Sequence, residues 1–406
     1  MKTDVVICGG GLNGPALALA LSAAGLTVTV VDALPADTRA DPDFDGRGYA
    51  LALSSRRMLD ALGVWDAVAA DAQPILDIKV ADGAPGRGAS PLFVHFDHEE
   101  MGEGPMGHMV EDRFLRRALA ARAAADPRVT VLSEVTVTGQ TPRAGGIAVT
   151  LSTGETVDAQ LLVGADGRGS RTASRAGIKR MGWDYDQASL VCAVAHEKPH
   201  GGCAHQLFIP SGPLAILPLP GERCSIVWTE RRPRAEAVHA MDDAHYLDAL
   251  RRVFGTFLGD IRLEGSRHLY PLGLSLTERF VADRVALVGD AAHGIHPLAG
   301  QGLNLGLRDV AALAQVVADT ARRGQDFGTP ATLTTYQTWR RFDTAALAVA
   351  TDTINRVFSN DNPLMRVGRD LALGAANAIP AVRRGMMRQA AGLNGDLPRL
   401  MRGEPV

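Results

Sequence analysis

Three clusters of small and acidic residues carry the chemical potential of this chain. The first is Gly9-Gly10-Gly11-Leu12-Asn13-Gly14, with Asp32 downstream. The second is Asp166-Gly167, followed by Arg168, Ser170 and Arg171. The third is Gly289-Asp290, followed by His293, His296-Pro297, Gly300, Gly302, Leu303 and Asn304. No Ser/His/Asp triad or carboxylate pair stands out. Bare glycine backbone beside an acid suits nucleotide binding instead. Phosphates need close approach to N–H groups, and sugar hydroxyls need a carboxylate acceptor.

The flanking residues predict elements that hold the first cluster in the required shape. Val5-Val6-Ile7-Cys8 is a short apolar run of β type. Pro15 to Ala24 is Ala/Leu-rich and helical, Gly25 stops it, and Thr27 to Val31 is a second strand ending at Asp32. In this strand–helix–strand context Gly9 permits the tight turn and Gly11 admits a pyrophosphate. Gly14 lets the helix pack on the strand. The plain alternative is a glycine-rich turn of an ordinary α/β protein. The strand, helix, second strand and terminal acid together favour a dinucleotide site, without deciding between FAD and NAD.

The other two clusters also follow apolar strands, Leu161 to Val163 and Val285 to Val288. Asp290 is delivered to a sheet edge, where it can bind sugar-like hydroxyls. Gly300 and Gly302 offer bare backbone to a flat ring. A long Ala/Leu helix is expected from about Leu305, with its N-terminus aimed at that ring, an arrangement that favours negative charge on a reduced flavin.

Composition narrows the classes. The chain has 406 residues, enough for two or three packed units, and 46% hydrophobic against 21% charged residues, which suits globular cores. A net charge of -3 gives no pull toward nucleic acid. Cys8, Cys192, Cys203 and Cys224 form no CxxC pair, as suits a reducing cytosol. His293 and His296 lack a third ligand, so no metal site is expected. No signal peptide is read at Met1-Lys2-Thr3-Asp4. Ala16 to Val31 reads as a buried helix and strand rather than a membrane span.

The triple pattern resembles the group A FAD-dependent aromatic monooxygenases, of para-hydroxybenzoate-hydroxylase-like fold. Further segments resemble their ubiquinone-biosynthesis branch: Arg47 to Leu51 with Ser54 or Ser55, Leu59 to Trp65, Tyr185-Asp186-Gln187, Gly212 to Leu219, Ser225 to Trp228, His296 to Asn304 and Gly392 to Pro398. The likeness spans nearly the whole chain. It implies an α/β fold: a Rossmann-like FAD-binding domain with an inserted β-sheet substrate domain and a C-terminal helical region. The expected division is 1–75, 108–180 and 271–335 for FAD, 76–107 and 181–270 for substrate, and 336–406 for the helices.

The resemblance further implies FAD held by Gly9, Gly11, Gly14, Asp32, Arg47, Arg113, Asp290, Gly302, Leu303 and Asn304. His296 and Pro297 would shape the reactive edge of the ring. The implied reaction is hydroxylation of a polyprenylated phenol or benzoquinol through a flavin hydroperoxide, with O2 as co-substrate and NAD(P)H or another donor of electrons. Asp112 departs from the family, whose members often carry Asn, Gln or Arg there. Either Arg113 makes the contact or Asp112 caps the helix that starts at Phe114.

Residues 181–230 read as short apolar strands that would roof a substrate pocket. For a single residue such as Trp228, core packing is the better reading. From about Leu333 the chain reads as helical, with arginines interleaved among apolar residues. This suits either an anionic membrane surface or a solvated face of a packed helix. The expected location is the cytoplasm or the surface of the inner membrane, with a quinone-biosynthesis complex as a further partner. Two rival functions share the fold: an FAD-dependent reductase of an isoprenoid, and a non-catalytic flavin-bearing scaffold.

Overall fold

The structure is a computed structural model that describes residues 1–39, 46–84, 88–295, 300–360 and 362–406. His296 and Pro297, the expected shapers of the ring edge, lie outside the described residues.

A six-stranded sheet runs in the order Val281–Ala282, Val285–Leu287, Leu161–Gly164, Val5–Cys8, Val28–Val31, Val129–Leu132. All pairs are parallel except the first. Val5, Val6 and Ile7 are fully buried because both faces are covered, as parallel sheets require. Helices Asn13–Ala23, Asp112–Ala124 and Gln301–Arg322 cover one face. A three-stranded antiparallel meander, Val137–Arg143, Gly146–Leu151 and Thr156–Ala159, covers the other. Strand order reverses at Val5–Cys8, so the crevice for a ligand lies at its carboxyl end, where the glycine cluster begins.

An eight-stranded sheet forms the second layer. Its order is His293–Gly294, Ile261–Thr277, Arg180–His196, Arg223–Arg231, Gly212–Leu219, Cys203–Ile209, Asp77–Ala84, Gly88–Asp97. The period-2 alternation divides its side chains. Leu190, Ile226, Trp228 and Leu214 pack outward against Tyr246, Leu250 and Phe254 of the helix Asp243–Phe254. Trp228 is therefore a core residue. On the opposite face a row runs straight across the register: Val191, Val227, Ala215, Gln206.

A small sheet of Gly48–Ala52, Gly107–Glu111 and Gln73–Ile75 lies between the layers. Three helices follow, Pro330–Phe358, Pro363–Ala378 and Pro380–Ala390. Proline opens each, where its missing N–H costs no intrahelical bond. No helix among the described residues is long and apolar enough to cross a membrane.

Candidate active site

The three clusters meet at one edge of the six-stranded sheet. Gly9 has φ +114°, and a Cβ there would strike the Ala165 carbonyl. The fingerprint turn is thus moulded against the Asp166-Gly167 segment. A Cβ on Gly14 would collide with the Gly9 carbonyl, so this glycine is required by helix–strand packing. Gly11 differs: a Cβ there would meet nothing within 4 Å. Its bareness serves no internal contact and leaves open backbone at the start of helix Asn13–Ala23.

Asn13 joins the first cluster to the third. A Cβ on Gly289 or Gly306 would run into its side-chain amide. Asn13 Oδ1 is buried and accepts no hydrogen bond among the described residues. Arg168 Nε reaches Asp290 Oδ2 at 3.0 Å, which joins the second cluster to the third, with both side chains about half exposed at the cleft.

The turn bearing Asp290 is held from below. Arg180 donates to the Asp290 carbonyl at 2.9 Å and to Ser275 Oγ at 2.8 Å. Asp309 accepts the Gly289 N–H at 3.0 Å, a His293 ring proton, and Arg340 Nε at 2.8 Å. Burial pushes the Asp309 carboxyl up, but the facing His293 and Arg340 charges outweigh it and hold it below the usual range. Sequence reasoning missed Asn13, Arg180, Asp309 and Arg340. One signal was present: Asp309 sits four residues after Leu305 and four before Leu313, an acid on the buried stripe of its helix.

The long helix expected from Leu305 begins at Gln301, because Gly300 in the left-handed region (φ +63°) turns the chain into it. Gly302, Leu303 and Asn304 therefore form its first turn. Among the described residues no side chain caps that end and no acid occupies the turn, which suits the Gly302 and Leu303 N–H groups to a ligand. A Cβ on Gly302 would meet open space. The Asn304 amide is fully engaged by the protein. Its Oδ1 accepts from Ala52 N at 2.9 Å and Ser55 Oγ at 2.8 Å, and its Nδ2 donates to the carbonyls of Ala50 at 2.8 Å and Gly300 at 3.2 Å.

Asp32 ends its strand buried, and its Oδ1 accepts the Leu34 N–H at 3.1 Å. Asp112 is not the helix cap, since Glu111 occupies that position. Asp112 is a buried anchor for Arg47 (3.2 Å), the Tyr49 hydroxyl (3.0 Å) and Arg116. Glu111 is buried between Arg113 (2.7 Å) and Arg223 (2.7 Å), so Arg113 is steered by this carboxylate and by the Phe114 ring beneath it, 4.5 Å away.

On the face of the large sheet turned away from Trp228, the row Val191, Val227 and Ala215, with Leu217 two residues further along its strand, is only partly covered and so can line a cleft. The sheet leads straight to the third cluster, since Ser275 pairs with Gly294 just before the loop. At Gly300, the next described residue after Ile295, a Cβ would sit 3.1 Å from that of Ala50. A cavity of about 290 Å³ has a mixed, partly charged lining that includes Trp183, Asp184, Tyr185, Arg231, Arg356 and Ser359.

The residues present fit FAD. Two bare-backbone helix starts at Gly11 and Gly302, a buried acid at a strand end and an orphaned amide oxygen at Asn13 make a cradle of the right polarity for pyrophosphate, ribose and ring.

Comparison with known proteins agrees with this geometry. The FAD binding domain family matches residues 2–351. The ubiquinone hydroxylase UbiL of Rhodospirillum rubrum is 45% identical, over 99% of this chain and 93% of its own length. The 3-demethoxyubiquinol 3-hydroxylase of Escherichia coli is 34% identical, over 96% and 99%. In fold, the p-nitrophenol 4-monooxygenase PnpA of Pseudomonas putida aligns with a TM-score of 0.80 at 19% identity, over 97% of this chain and 99% of that one. The chain belongs to the FAD-dependent aromatic monooxygenases, in the branch that contains the ubiquinone-biosynthesis hydroxylases.

Proposed function

We propose that this protein hydroxylates the ring of a polyprenylated phenol or benzoquinol on the route to ubiquinone, using FAD, O2 and electrons from NAD(P)H. The observation that carries the substrate class is the partly covered apolar row Val191, Val227, Ala215 and Leu217, on the face of the large sheet turned away from Trp228. No arginine or lysine interrupts this row. A small aromatic acid would need a cation to replace its lost hydration.

The chain's own groups bind and orient. Gly9, Gly11 and Gly14 with the first helix start would hold the pyrophosphate, and Asp32 the ribose. Arg47 and Arg113 would flank the chain of the cofactor, Asp290 its ribityl hydroxyls, and the Gly302 and Leu303 N–H groups the ring. Asn304 positions that turn. His296 and Pro297 would shape the reactive edge. When bound, FAD supplies the redox and oxygen-transfer chemistry, while the apolar roof keeps water from the ring. Peripheral attachment to a membrane, where such substrates dissolve, belongs to the same reading.

The test supplies purified holoprotein with NAD(P)H, O2 and prenylphenols of increasing chain length, and follows products by mass spectrometry. Gain of one oxygen atom on the ring, dependent on O2 and lost in Asp290→Ala, is the expected result. Oxidation of NAD(P)H with reduction of a prenyl double bond would favour the reductase instead.

A further inference from the structure

The last two helices leave one side uncovered. On Pro363–Ala378 the exposed positions include Val367 (59% exposed) and Leu371 (62%), four residues apart, with Ile379 just beyond the end. On Pro380–Ala390 they include Val382 and Met386, again four apart. The opposite side of both helices is firmly seated. Leu373 and Met387 enter the core, Arg369 bonds Asp82 at 2.9 Å, and Asn377 accepts the His95 N–H at 3.0 Å. The apolar side therefore faces outward because the inner side is fixed.

Charge on these helices is one-sided. They carry Arg366, Arg369, Arg383, Arg384 and Arg388 against one acid, Asp370. Arg369 is engaged by Asp82 and Arg383 by Glu100 at 2.8 Å. Arg366, Arg384 and Arg388 pair with no carboxylate among the described residues. We propose that the outer face of Pro363–Ala378 and Pro380–Ala390 docks on an anionic phospholipid bilayer. The apolar stripe would enter the acyl boundary, and the arginines would meet the headgroups. A second copy of the chain is a poor occupant. A twofold contact through this face would bring two sets of Arg366, Arg384 and Arg388 into one interface, with only Asp370 on these helices to offset them, so like charges repel.

The docking face is coupled to the cavity. Arg369 Nη1 donates to the carbonyls of Val357 at 2.9 Å and Asn360 at 3.2 Å, on either side of Ser359 in the cavity wall. Its guanidinium also lies 5.4 Å from the Phe358 ring. Exposed Trp183, 5.5 Å from the Arg356 guanidinium, marks the cavity rim. Helix Pro363–Ala378 is thereby tied to the cavity wall, so a membrane that seats this helix would present a prenylated substrate near that wall. This last step rests on the proposed substrate class, whereas the docking itself does not.

The test is co-sedimentation of the full-length holoprotein with phosphatidylcholine vesicles, with and without phosphatidylglycerol. Two double variants are compared, V367D/L371D and R384E/R388E. The wild type is expected to sediment with the anionic vesicles only. Each double variant should lower that partition by at least about tenfold and keep turnover of a short-chain, water-soluble phenol. Wild-type partition in both variants, or none in the wild type, overturns the proposal. So does a concentration-dependent dimer in sedimentation velocity that both variants dissolve. If vesicle binding behaves as expected and no phenol is hydroxylated, the docking face stands and the proposed reaction fails.

Discussion

Arg340 Nε donates to Asp309 Oδ1 at 2.8 Å in a place where neither side chain reaches solvent. The other Asp309 oxygen takes the Gly289 N–H and a His293 ring proton. One carboxylate thus joins helix Pro330–Phe358, helix Gln301–Arg322 and the turn that carries Asp290. Removing one partner of a buried ion pair leaves the other uncompensated, at a cost of about 3–5 kcal/mol. Asp309→Asn is expected to lose that much in denaturant unfolding of the apoprotein and to purify with less FAD. An Asn variant of unchanged stability and full flavin content would refute the linkage. The sign follows from the depressed carboxyl: its contribution is complete above the unfolded value of about 3.9 and is lost as pH falls through the lower folded value.

Gly11 and Gly14 separate folding from cofactor binding. Gly14→Ala drives a methyl into the Gly9 carbonyl and should destabilise the apoprotein by about 1–3 kcal/mol. Gly11→Val adds its side chain to open space, so apoprotein stability should change by no more than about 1 kcal/mol. If a pyrophosphate passes over Gly11, the same variant should weaken FAD binding by at least about tenfold, because the backbone N–H groups can no longer be approached. Fluorescence titration with FAD reads this directly. Undiminished affinity in Gly11→Val would move the pyrophosphate elsewhere.

The fingerprint was legible because local sterics dictate it. A positive φ at Gly9 and the contact at Gly14 act within a few residues of the motif. The central strands of the large sheet, within residues 181–230, were legible as short apolar runs, and the seating of Trp228 from its apolar bulk. What escaped were partners far apart in sequence. Nothing near Asn304 reveals that Ala50, Ala52 and Ser55 would take up its amide. Arg340 looks like one more arginine in a basic tail until the fold brings it to Asp309. The role of Asp112 makes sense only with Arg47, Tyr49 and Arg116 around it.

Two histidines give the fold a pH dependence. Burial, helped by the Arg56 charge, lowers His108 to about 4. Burial, helped by Lys79 and opposed by Asp77, lowers His205 to about 4. Both are neutral in the fold, whereas the unfolded chain takes up protons below about 6.5. Stability therefore falls as pH drops from about 6.5 to about 4 and levels off below. Discounted for partial exposure, each contributes on the order of 1–2 kcal/mol across that window. His108→Phe keeps an edge against Trp65, now 4.9 Å from the imidazole, and removes the buried Nδ1 that lacks a partner. It should flatten the slope, so the variant's stability relative to the wild type is higher at about pH 5 than near neutrality. Parallel pH profiles in urea unfolding would exclude this origin.

The apolar roof makes the last prediction. Val227 lies at the centre of the row, between Val191 and Ala215, on the face opposite Trp228. Because its neighbours along the strand, Ile226 and Trp228, are buried in the outer core, a change at Val227 alters the cleft and leaves that packing intact. Val227→Arg places a cation where the proposed substrate presents hydrocarbon. It should retain FAD, since no residue of the cofactor cradle is touched. Turnover of a prenylphenol should fall by at least about a hundredfold, through desolvation of the charge on substrate entry. The same cation supplies what an aromatic acid lacks in the wild type, so kcat/KM for a hydroxybenzoate should rise relative to the prenylphenol. Measuring both substrates on one preparation separates the outcomes. A uniform loss points to a damaged fold, whereas a reversal of preference shows that this row sets the substrate class. Unchanged kinetics on both would remove Val227 from the cleft.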